Sequence, residues 1–323
     1  MRKKGKRISL AIFALLLVAA MFAGNTRGEK DINKERHSPL TNGDSKLNEI
    51  NESNEGKGAD KMDETSVYDQ YSLIWQDEFN GAELNMEDWN YEFHEPGWVN
   101  NELQSYSDSP ENIFVKDGKL VIKAKKIEEG EKTFYTSGRI NTKGKHDFKY
   151  GLFEARAKVP NGKGFLPAFW MMPADERIYG PWPKCGEIDI MEVVGSQTDK
   201  VYGTLHFGEP HKQIQGSYIL GIDDFSEEYH LYSCEWEPGK LRFYVDNELY
   251  FTANDWDSNK EGHSQMAYPA PFDQPFYIIL NLAVGGDWPG KPNETTKFEE
   301  NAELKVDYVR VYQKKSYDEK ITN

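Results

Sequence analysis

Three carboxylates fall within one short run, Gly186-Glu187-Ile188-Asp189-Ile190-Met191-Glu192. Their neighbours Ile188, Ile190, Met191, Val193 and Val194 are apolar and β-prone, which predicts a strand. A strand alternates its faces, so Glu187 and Asp189 point the same way. Glu192 falls on the other face unless an extra residue intervenes. Ile190-Met191 breaks the alternation, and a β-bulge there returns Glu192 to the acidic face. The chemistry such a trio suits is glycoside cleavage with retention, in which two carboxyls about 5–6 Å apart flank the bond. One attacks the sugar; the other first gives and then removes a proton. The Cα atoms of Glu187 and Glu192 lie roughly 13 Å apart at about 3.3 Å per residue, and side chains leaning together close that gap. Asp189, between them, can share a proton with the nucleophile. An acidic strand face turned to solvent is the competing explanation, although like charges this close repel.

The elements around that run read almost entirely as β. Val115 to Ile122 contains Asp117-Gly118 between apolar runs, a tight hairpin signal. A strand is expected from Thr133 to Thr142. From Leu152 to Val159, Phe153, Ala155, Ala157 and Val159 alternate with Glu154, Arg156 and Lys158. Further strands are expected at 201–207, 230–236, 241–245 with its return at 249–252, 276–284 and 304–312. No long helical period, repeat or βαβ alternation is present. The pattern predicts one all-β domain over 69–315, a two-sheet antiparallel jelly-roll sandwich of the concanavalin or lectin kind. A concave face of one sheet would form the substrate groove, with 316–323 left as a tail.

Composition narrows the partners. A net charge of −15 and a pI near 5.0 leave no basic stripe for nucleic acid or an anionic membrane. The 8 Trp and 18 Tyr suit stacking on sugar rings, and equally a large sandwich core. Residues 1–24 carry a basic start (Arg2, Lys3, Lys4, Lys6, Arg7) and an apolar run from Ile8 to Ala23, the pattern of a cleaved secretion signal. A secreted protein with no membrane attachment after signal removal is expected. Residues 25–68 are polar and without period, the composition of a disordered linker. Cys185 and Cys234 are expected as reduced, buried thiols; neither has a local His partner for nucleophilic work. The 7 His include no His-Glu-x-x-His, so no catalytic zinc or other catalytic cofactor is expected.

Several motifs in order resemble glycoside hydrolase family 16. They are Trp75-Gln76-Asp77-Glu78-Phe79-Asn80-Gly81, Asn100-Asn101-Glu102-Leu103-Gln104, Tyr135-Thr136-Ser137-Gly138-Arg139 and Pro167-Ala168-Phe169-Trp170. The acidic run itself, Thr204-Leu205-His206, Asn281 to Gly286 and Val306 to Tyr312 complete the set. The resemblance covers about Tyr71 to Lys314. The Glu-x-Asp-x-x-Glu spacing is similar to laminarinases, the endo-β-1,3-glucanase branch, rather than to lichenases.

That resemblance implies Glu187 as nucleophile, Asp189 as its electrostatic helper and Glu192 as general acid/base. It implies His206 as a histidine hydrogen-bonded to the acid/base from the neighbouring strand. It points to Trp170, Arg139, Asn101, Glu102, Trp98, Trp182, Asn281 and Trp288 as substrate-binding residues. A structural Ca²⁺ is also implied, held by the carbonyls of Glu78 and Gly118 and the Asp307 carboxylate. One departure stands out: Leu166 occupies a position where the family commonly has Trp, and Leu cannot stack on a sugar. The expected activity is therefore a monomeric, endo-acting, retaining hydrolase of β-1,3-glucan, with mixed 1,3-1,4-glucan also accepted. A galactan hydrolase or a transglycosylase on the same fold is the alternative enzyme, and a non-catalytic glucan-binding module the alternative from another class.

Overall fold

The computed structural model describes residues 68–258 and 266–320. The expected signal peptide and all but the last residue of the expected linker lie outside the described residues. No helix among the described residues is long and apolar enough to cross a membrane.

The chain forms an all-β jelly-roll sandwich. One large sheet runs β16 (Glu248–Ala253), β15 (Lys240–Val245), β14 (His230–Glu237), β9 (Gly151–Lys158), β18 (Glu303–Lys314), β5 (Lys119–Lys123) and β4 (Ile113–Lys116). In the same sheet β1 (Tyr71–Asp77) pairs antiparallel with β18. The second large sheet runs β13 (Lys212–Ile219), β12 (Lys200–Phe207), β11 (Glu187–Val193), β10 (Phe165–Pro173), β17 (Phe276–Val284), β8 (Arg139–Asn141) and β2 (Asn90–Tyr91). A small sheet joins β3 (Gln104–Tyr106), β7 (Lys132–Ser137) and β6 (Lys125–Glu129).

Period-two alternation decides what each strand of the second sheet shows to each side. On β10, Phe165, Phe169 and Met171 enter the core between the sheets, while Leu166, Ala168, Trp170 and Met172 line the groove. On β17, Phe276, Ile278, Leu280, Leu282 and Val284 enter the core, and Asn281 faces the groove. All nine residues of β17 are buried, so this central strand reads as an almost unbroken apolar run. Trp236, Phe153 and Phe243 meet them from the opposite sheet. Burying each such side chain contributes about 1.5–3 kcal/mol, which holds the groove floor flat against the core.

The hairpin at Asp117-Gly118 forms as expected, with φ of 53° and 68° at its two turn residues. Such paired left-handed conformations match the twist of the strands they join. Asp246-Asn247 repeats the device between β15 and β16, with φ of 48° and 67°.

Some elements differ from expectation. The single strand expected over 133–142 is two, β7 and β8, in different sheets. Gly138 separates them because a Cβ there would collide with Ile113 and Ile122, and only glycine lets the chain pass that close. The edge strand β13 was not expected. Its Gly216 lies directly over Phe251, so the interior of this strand reads locally as a break. Cys185 and Cys234 are free and buried, as expected.

Candidate active site

The bulge anticipated at Ile190-Met191 is present. Against β10, Met191 pairs with Phe169 and Asp189 with Trp170, so Ile190 has no partner of its own. Against β12, Asp189 stands opposite Thr204 and Glu192 opposite Tyr202, with the register shifting between them. Ile190 and Met191 both enter the core. Glu192 thereby returns to the face of Glu187 and Asp189, and all three line one trough.

Proton affinities within the trio are unequal. Burial and the Asp189 carboxylate push Glu187 up to about 8, while His206 and a hydrogen bond from Trp182 pull it down. The Trp182 indole N–H donates to Glu187 Oε2 over 2.7 Å. Asp189, only 2% exposed, is pushed up to about 7, chiefly by burial. Burial, then Asp189, Glu187 and Glu102, raise Glu192 well above the ordinary carboxylate range. With only carboxylates as charged neighbours pushing it up, Glu192 is the member that keeps its proton.

The trough has two lobes sharing Asn100, Glu102, Leu166, Trp182, Glu187 and Glu192. They enclose ≈ 380 and ≈ 540 Å³, both within the range of about 300–1,000 Å³ common for ligand sites. In the first lobe the Arg139 guanidinium lies 4.6 Å from the Trp170 ring and 5.1 Å from Trp98. Its Nε is 2.7 Å from Glu92 Oε2. Burial opposes charge on Glu92, but Arg139, Asn141 and His94 outweigh it and hold Glu92 below its ordinary value. Trp98 stacks on His94 at 3.4 Å between ring centres. Trp170 donates to Asn281 Oδ1 over 2.7 Å, and the Asn281 amide donates to the Tyr106 hydroxyl over 3.1 Å. In the second lobe Trp288 meets Tyr202 edge-on at 5.1 Å. Trp98, Trp182 and Trp288 are 49%, 47% and 44% exposed along the trough.

Residues 100–310 match the family described as glycosyl hydrolases family 16. The chain belongs to that family. It is 43% identical to the glucan endo-1,3-beta-glucosidase A1 of Niallia circulans over 263 residues, covering 75% of this chain and 38% of that protein. It is 40% identical to the beta-glucanase of Rhodothermus marinus over 264 residues, covering 79% and 88%. Among solved structures it resembles the laminarinase catalytic domain of Thermotoga maritima at 41% identity and TM-score 0.65, covering 76% of this chain and 100% of that one.

Within this family 16 site some residues are not where the motifs suggested. His206 was expected beside Glu192. It stands opposite Glu187 in register, with Nε2 3.3 Å from Asp189 Oδ2. The antiparallel register is the reason: Glu192 pairs with Tyr202, four positions along β12 from His206. Asn101 was expected in the groove, but its amide donates to both Asp287 oxygens at 2.9 and 3.1 Å. Asn100 lines both lobes instead. Glu102 does line them, held by the Gln104 amide over 2.7 Å.

Gly285-Gly286 sets this loop. A Cβ on Gly285 would sit 2.5 Å from Leu103 Cγ and one on Gly286 2.9 Å from the Asn100 carbonyl. Sequence reasoning missed Tyr202, His211, Gln213 and Gln215 in the second lobe. Tyr202 was recoverable, since it precedes His206 by an even number of strand positions and so shares its face. Leu166 packs with Val194, Ala283 and Tyr202, filling the floor where a stacking ring was expected.

Of the implied calcium ligands, the Asp307 carboxylate is already engaged by cations. Asp307 Oδ2 accepts from Arg156 over 2.6 Å and its Oδ1 lies 3.2 Å from Lys119 Nζ. A carboxylate already neutralised by two cations is not an open hard-oxygen donor.

Proposed function

We propose that the protein is an endo-acting, retaining hydrolase of β-1,3-glucan that also accepts mixed 1,3-1,4 chains. The observation that carries this is the bulged strand β11, which aims three carboxyls of unequal proton affinity into one two-lobed trough. Glu192, holding its proton, gives it to the leaving glycosidic oxygen while Glu187 attacks the anomeric carbon and forms a glycosyl ester. Glu192, now a carboxylate, takes a proton from water, whose oxygen attacks the same carbon and frees Glu187. Asp189 shares a proton with Glu187 and takes more of it as Glu187 ionises. Arg139 and the Trp faces orient the sugar rings by stacking and hydroxyl contacts.

Laminarin, lichenan and agarose, assayed for reducing ends and for product anomer by NMR, test this reading. Wild type is expected to release β-anomer first from laminarin, with Glu187→Gln binding glucan but releasing none. Release from agarose alone would favour the galactan reading, and binding without release in wild type the binding module. Secretion as a monomer is part of the proposal, supported by the basic stretch Arg2 to Arg7 and the apolar run after it. Sequencing the N-terminus of protein recovered from culture medium, with its size in solution, tests that part.

A further inference from the structure

The second lobe contains a histidine pair that the acid trio alone does not explain. His206 Nδ1 and His211 Nε2 are 2.8 Å apart, so one hydrogen lies between them. Their ring centres lie 5.1 Å apart with planes 20° from parallel, so the rings lie edge to edge across that hydrogen bond. On the other side of His206, Nε2 is 3.3 Å from Asp189 Oδ2. That oxygen is buried and has no hydrogen-bond partner among the described residues. Trp182, the donor to Glu187, leans on the same pair, 5.1 Å from His211 and 6.2 Å from His206. His211 itself is exposed in the turn between β12 and β13.

We infer that His211 is a positioning residue that fixes the tautomer of His206. For an ionised Asp189, one assignment of hydrogens satisfies every neighbour. With the hydrogen on His211 Nε2, His206 Nδ1 accepts and the hydrogen of His206 sits on Nε2, 3.3 Å from the orphaned Asp189 oxygen. The reverse assignment turns a bare nitrogen lone pair onto a buried carboxylate oxygen, leaving both acceptors unmet. A donor on one Asp189 oxygen fixes that carboxyl in place, so that its other oxygen stays set for the proton it shares with Glu187. His211 thus acts on the nucleophile through His206, and through Trp182 by supporting its ring. The catalytic part of this inference rests on the hydrolase reading above; the tautomer part does not.

The test uses three variants. His211→Gln keeps an N–H donor near the Nε2 position, His211→Phe keeps an aromatic ring without a donor, and His211→Ala removes both. ¹⁵N–¹H spectra of the histidines, assigned by comparison with His206→Gln, are expected to show His206 protonated at Nε2 in wild type and His211→Gln. His211→Phe is expected to give a mixture of tautomers. On laminarin, kcat is expected to fall about tenfold in His211→Phe and His211→Ala with KM nearly unchanged, and to recover in His211→Gln. His206 protonated at Nδ1 in wild type, or an unchanged tautomer in His211→Phe, overturns the inference. Full kcat in His211→Phe overturns its catalytic part. A wild type inactive on laminarin sinks the hydrolase reading, while the spectra still decide the tautomer.

Discussion

Trp182 donates its indole N–H to Glu187 over 2.7 Å. That bond favours the ionised nucleophile against the burial and the Asp189 charge that raise it to about 8. Trp182→Phe retains a ring to rest on His211 but removes the donor. A hydrogen bond to a charged group contributes about 1.5–3 kcal/mol, so kcat is expected to fall roughly tenfold to a hundredfold. The acidic limb of the rate profile should move to higher pH, because Glu187 then holds its proton more tightly. Steady-state rates across pH check this, and an unmoved limb would show that the donor does not tune Glu187.

The same buried acids cost stability in a defined pH window. Glu187 ordinarily titrates at 4.5 and is raised to about 8 in the fold; Asp189 ordinarily titrates at 3.8 and is raised to about 7. The folded state therefore binds these protons more tightly than the unfolded chain. Their stabilising contribution is complete below the unfolded values and is lost as pH rises through the folded ones. Thermal midpoints should decline between about pH 4 and pH 8. Glu187→Gln should flatten that decline and gain about 1–2 kcal/mol at its upper end, the usual return on neutralising an active-site charge. Calorimetry of both proteins at several pH values measures it.

Arg139 lies between two indoles and is ion-paired to Glu92. A planar guanidinium fills that slot with both faces, whereas an ammonium is a point charge on a thin stem. Arg139→Lys is expected to raise KM about five- to thirtyfold, the equivalent of about 1–2 kcal/mol of lost stacking, with a smaller change in kcat. Substrate titration followed by tryptophan fluorescence reports the binding part directly.

Gly286 has φ of 103°, a conformation that L side chains rarely adopt, and faces the Asn100 carbonyl. Gly286→Ala should cost roughly 1–3 kcal/mol and displace the loop bearing Trp98, Asn100 and Glu102. KM should rise more than the stability loss alone explains. Unfolding in urea alongside laminarin kinetics separates the two effects; unchanged KM would show that this loop does not shape the groove.

Much of this protein could be read before its fold was known. The acid trio, its bulge at Ile190-Met191, the Asp117-Gly118 hairpin and the alternation along β9 are local, because strand period and turn conformation depend on residues adjacent in the chain. Tertiary structure alone decided that His206 faces Asp189, that Asn100 rather than Asn101 enters the groove, and that Asp307 is held by Lys119 and Arg156. It also brought His211 against His206 and Arg139 between Trp98 and Trp170. Each of these depends on cross-strand register, on how a hairpin turn folds back, or on contacts between segments far apart in sequence. Such distances are set by packing the whole sandwich, and no local pattern encodes them.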